Sequence, residues 1–177
     1  MRGLRAALPL LVAFLALGPA GCKRKKKEQT PTPEPAAVLL STVNVSDPAG
    51  AVQLASGFFE LESNTWRWTA RKFTVVLRPP EGAGERGARL ELHLNLPGVI
   101  VDRIGPVAVS AEIGGRALAP ERYAQAGDYV YVRDVDAGSL RSSAVAIHFS
   151  TDKALPPGGA DSRELALIVT AVGLAAK

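Results

Sequence analysis

The chain has 177 residues, 21 Lys+Arg against 17 Asp+Glu, a pI near 9.5 and a single cysteine. Seven of the basic residues (Arg2, Arg5, Lys23, Arg24, Lys25, Lys26 and Lys27) fall within the first 35 positions beside only Glu28 and Glu34, so residues 36–177 hold 14 basic and 15 acidic side chains. A nearly neutral body carries no electrostatic footprint for nucleic acid. One cysteine excludes an internal disulfide framework and any zinc site built from cysteine pairs.

The start has the three parts of a secretory signal: Arg2 and Arg5, an apolar stretch from Ala6 to Leu17, and small residues before Cys22. The apolar stretch is too short to span a bilayer. With Ala20 and Gly21 directly before Cys22, this segment resembles the signal peptides of bacterial lipoproteins, departing from them at Pro19, where that family has a branched aliphatic residue. The resemblance implies cleavage after residue 21 and lipid on Cys22, the alternative being an ordinary signal peptide that ends near a cysteine. It places the protein in the cell envelope, anchored to the outer membrane or to the periplasmic face of the inner membrane, and the absence of Asp after Cys22 leans toward the outer one.

Residues 22–37 read as a tether. Lys23–Lys27 either attract anionic headgroups or begin a solvated, self-repelling linker. The run TPTPEPAA that follows favours extended polyproline geometry, and fifteen residues at about 3.1 Å each reach roughly 45 Å.

Residues 38–177 form the expected folded domain, and their repeated signal is period two. Leu90, Leu92, Leu94 and Leu96 alternate with Glu91, His93 and Asn95; Val107, Val109, Ala111 and Ile113 alternate with polar or small residues; so do Val145, Ile147 and Phe149. Tyr129 and Tyr131 oppose Val130 and Val132. KFTVVL and ELALIVTAVGL are more continuously apolar, as central strands are. Breakers separate the runs, and Gly114-Gly115 predicts a tight hairpin. These short strands predict an all-β, antiparallel β-sandwich of jelly-roll or immunoglobulin-like type. Pro120–Gln125 is the one candidate helical turn, and Glu81–Gly84 reads as a flexible turn.

The most distinctive segment is GFFELESNTWRWTARKFTVVL, from Gly57. Trp66 and Trp68 project to one strand face and Arg67 to the other, where each indole either fills the core or offers a platform to a sugar ring. Together with DSRELALIVTAVGL, this segment resembles carbohydrate-binding-like β-sandwich modules found beside bacterial glycosyltransferases and in envelope proteins. The resemblance implies a fold more than a ligand. Candidate ligand-binding residues are Trp66, Trp68, Arg67, Glu60, Glu62 and, separately, Tyr129. The competing reading is structural, with Arg163 or Arg67 pairing to Glu60 or Glu62.

Catalytic signatures are missing. The serines lack a G-x-S-x-G elbow, His93 and His148 sit on alternating strands, and Asp134 and Asp136 read as a polar turn more than a calcium loop. No cofactor and no metal is expected. The expectation is therefore a non-catalytic module that binds a glycan or an envelope protein. Its alternatives are a structural lipoprotein that assembles through sheet edges and, behind both, a hydrolase using Glu60 and Glu62.

Overall fold

The structure, a computed structural model, describes residues 38–159 and 161–177. The signal segment, Cys22 and the tether to residue 37 lie outside the described residues. Nine strands run in chain order: β1 (Thr42–Asn44), β2 (Ser56–Glu62), β3 (Trp66–Leu77), β4 (Ala88–Leu96), β5 (Val107–Ile113), β6 (Arg116–Tyr123), β7 (Gly127–Val135), β8 (Val145–Thr151) and β9 (Ile168–Ala176). Two short α-helices interrupt them, α1 (Ala83–Arg86) and α2 (Gly98–Ile104), beside two 3-10 turns at Pro48–Gln53 and Ala137–Leu140.

The strands join one antiparallel sheet in the order β6-β5-β8-β3-β9-β4-β7, with β1 on β9 and β2 on β3. The all-β antiparallel expectation holds, and the sheet is curled into a sandwich-like, nearly closed barrel. Alternation in the sequence becomes inside and outside. On β4, Leu90, Leu92, Leu94 and Leu96 are buried, and the residues between them point outward. Phe73, Val75 and Leu77 of β3 meet Ile147 and Phe149 of β8 inside, the Phe73 and Phe149 rings stacking at 5.0 Å. At about 25 cal/mol per Å² of apolar surface, such burial is the main term holding the sheet together.

The two continuously apolar runs are the adjacent central strands β3 and β9. On β9, Val172 and Leu174 face inward while Gly173 is covered from outside by β1: a Cβ there would stand 2.5 Å from the Thr42 hydroxyl. Gln53 fastens the segment before β1 from a buried position. Its amide oxygen accepts from Leu40 N at 2.8 Å, and its Nε2 donates to the carbonyls of Leu40 and Val76 at 3.0 and 2.7 Å.

Both tight hairpins use left-handed backbone. Gly114 and Gly115 (φ 58° and 77°) turn β5 into β6 as the sequence predicts, while Ser63 and Asn64 (φ 50° and 53°) turn β2 into β3 without glycine.

Two local expectations are corrected. Pro120 does not begin a helical turn but lies inside β6, at the register shift opposite Val109–Ala111, where the missing N–H breaks no ladder bond. Glu81–Gly84 is not merely a turn, since it leads into α1. The longer α2 was not expected, although Pro97 stands before it, Gly105 ends it at φ 72°, and Ile100, Val101 and Ile104 recur at helical spacing toward the core. Among the described residues no helix is long and apolar enough to cross a membrane.

Candidate functional site

Five of the residues singled out in the sequence, Trp66, Arg67, Trp68, Glu62 and Arg163, converge at the end of the β2–β3 hairpin. Trp66 and Trp68 meet edge to face, their ring centroids 6.2 Å apart. Trp68 is 9 % exposed and belongs to the core, and Trp66 is half-buried against it. Arg67 turns away from the indoles and donates to the carbonyls of Val45 (3.1 Å) and Phe59 (2.9 Å), joining the chain beyond β1, β2 and β3.

Glu62 accepts from Arg163 at 2.8 Å. Arg163 also holds Asp161 through Nε and Nη2 and lies 5.3 Å above the Phe59 ring. Hydrogen bonds from the Arg163 side chain and then from its backbone N–H hold the Asp161 carboxyl below the usual aspartate range. In turn Asp161 and then Glu62 keep the guanidinium firmly protonated. The structural pairing of Arg163 with Glu62 is therefore present, whereas Arg67 is spent on carbonyls. Glu60 is exposed and joins no ion pair among the described residues. The cluster ties the segment before β9 to the early hairpin, with its charged groups directed at one another.

Tyr129 is elsewhere. It sits on β7 with its ring 4.5 Å from that of Tyr123 and its hydroxyl donating to Gln125 O at 2.9 Å. It borders a recess of about 280 Å³ with His93, Asn95, Asp128, Val130 and Thr170. Asp134 and Asp136 end in ion pairs, with Lys177 and Arg116 respectively, each at 2.9 Å.

A second polar constellation was not read from the sequence. It occupies a groove of about 350 Å³ on the outer face of β3, β8 and β5, walled by Ser56 of β2 and Ala117 of β6. Strand register lays it out as two rows. Lys72 lies opposite Ser150, which lies opposite Ser110; Thr74 lies opposite His148, which lies opposite Glu112. The serine hydroxyls meet at 2.9 Å, and the Thr74 hydroxyl and His148 Nδ1 at 3.0 Å. Lys72 and Glu112 are exposed and, among the described residues, join no ion pair. Inward partners on the same strands (Phe73, Phe149, Ala111) fix the floor from below.

Gly57 places the β2 wall. At φ 74° its position leaves no room for a side chain, because a Cβ would stand 2.1 Å from Lys72 O, so β2 can press closely onto β3. The grid's six residues fall in three windows, 72–74, 110–112 and 148–150, and only the pairing register brings them together. The outward positions of the alternating strands β5 and β8 were the available signal, beside Lys72 and Thr74 of the more continuously apolar β3. Comparison with protein-family models gave no match, and comparison with curated proteins gave none either.

Proposed function

We propose that this chain is a lipid-anchored lipoprotein of the cell envelope whose β-domain binds a glycan or a protein partner without catalysing a reaction. The anchor reading rests on Cys22 after Ala20-Gly21 and on the basic, Pro-rich tether behind it. The observation that carries the binding reading is the groove over β3, β8 and β5, where hydroxyls, an imidazole and two charges that pair with no other described residue face solvent on a floor held by the core. Rigid strands keep such groups positioned for a ligand and reduce the ordering cost of binding.

Intact mass of the protein from a bacterial membrane fraction, beside Cys22→Ala, tests the anchor. The expected chain begins at Cys22 and carries diacylglyceryl and acyl mass, both lost in the variant. An unlipidated wild-type chain in the soluble fraction would refute the anchor.

A second reading, assembly by strand addition, is favoured by β2, which pairs with β3 and has no second strand partner among the described residues. It predicts a complex disrupted by proline in β2 and indifferent to the groove.

A further inference from the structure

Opposite charges close together on a sheet face normally pair. In the groove, Lys72 and Glu112 occupy diagonal corners of the two-by-three grid, two strands and two residues apart, a Cα separation of about 12 Å by standard sheet spacings. Neither is neutralised by another described residue, and both border the same recess. Between them lie Ser150, Ser110, Thr74 and His148, whose mutual hydrogen bonds leave the second lone pairs of the hydroxyls and the imidazole Nε2 free.

We infer that this groove is the ligand site and that it takes a zwitterionic saccharide, one bearing an amine and a carboxylate on neighbouring sugar units. This rests on the glycan-binding reading above and specifies both where the ligand sits and its class. The ligand amine donates to the Glu112 carboxylate, the ligand carboxylate accepts from the Lys72 ammonium, and ring hydroxyls take the serines and His148 between. The outward side chains that β3, β8 and β5 present on the floor are polar, with hydroxyls and an imidazole spaced between the two charges. That favours a sugar over a peptide with the same two charges.

The test uses the full-length protein in detergent and de-N-acetylated hyaluronan tetrasaccharide, in which glucuronate and glucosamine alternate, with titration by calorimetry. Controls are the N-acetylated parent (carboxylate only), a chitosan tetrasaccharide (amine only) and tetraglycine (both charges, no sugar). The zwitterionic sugar binds tighter than each control by on the order of tenfold, about 1.4 kcal/mol. Lys72→Gln removes its advantage over chitosan, and Glu112→Gln removes its advantage over the N-acetylated parent. Both substitutions are on exposed side chains, and an unchanged melting temperature verifies the fold.

Equal binding by tetraglycine overturns the saccharide assignment. Saccharide binding that survives both variants overturns the groove while leaving glycan binding intact. No binding to any saccharide overturns the glycan reading itself.

Discussion

Tyr123 has a buried hydroxyl with no hydrogen-bond partner among the described residues, although Tyr131, also buried, donates to Ala119 O at 2.8 Å. Burial first, then the Glu121 carboxylate, pushes the Tyr123 phenol upward, so it stays a neutral donor without an acceptor. An unsatisfied buried hydroxyl contributes a desolvation cost, whereas a satisfied one contributes about 1 kcal/mol of stability. Tyr123→Phe should thus leave the melting temperature unchanged or raise it, and Tyr131→Phe should lower stability by about 1 kcal/mol. Equal losses in thermal unfolding would show that the Tyr123 hydroxyl has a partner after all. The sequence showed Tyr131 as a strand residue but placed Tyr123 in the candidate helical turn Pro120–Gln125, and alternation alone could not tell a phenol with an acceptor from one without.

At the scale of elements, the feature hidden from the sequence is the seam between β6 and β7. They are the two ends of the sheet path and, among the described residues, share no backbone ladder. Arg133 of β7 spans the gap, donating to Ala119 O (2.6 Å) and Pro120 O (3.1 Å), pairing with Glu121 at 2.9 Å, and stacking 4.3 Å above Tyr131. One planar guanidinium therefore does the work of several ladder bonds, which a lysine cannot copy. Arg133→Ala should cost roughly 2–3 kcal/mol, with faster amide exchange along β6 and β7, and Arg133→Lys should recover little of it. Unchanged exchange would mean that the strands close without the arginine.

Where one side of a strand faced the core, its pattern was readable: β4, β5 and β8 follow their alternation residue by residue. Pro120 misled because a strand bulge tolerates the same residue that opens helices. The Trp66–Arg163 cluster was partly legible because its members are chemically conspicuous. The groove was not, since serine, threonine and lysine on a solvent face are ordinary until register aligns them.

For the whole molecule, acid behaviour follows from two exposed carboxylates held low in the fold: Asp161 by hydrogen bonds from Arg163, and Asp134 first by its hydrogen bond from Lys177. A depressed folded value means that each contributes stability fully above the unfolded aspartate value of about 3.9. That contribution is lost as pH falls through the lower folded value. Because both groups are exposed, the effect is modest and screened by salt. Asp161→Asn should flatten the fall of melting temperature below about pH 4. An identical pH profile in the variant would remove Asp161 from the account.

The position of β9 governs when the fold can exist during synthesis. It lies between β3 and β4 and also carries β1, yet it follows all of them in the chain. As the polypeptide emerges, β2, β3, β5, β6 and β8 can pair among themselves, and β4 can pair with β7, but the two groups have no strand between them until Ile168–Ala176 arrives. Partners roughly a hundred residues apart must then find one another, a high-contact-order step that places folding at milliseconds to seconds. Without Ile168–Ala176 the apolar edges of β3 and β4 stay open, so a chain truncated before residue 168 would hold two sticky half-sheets and be a natural client for holding chaperones.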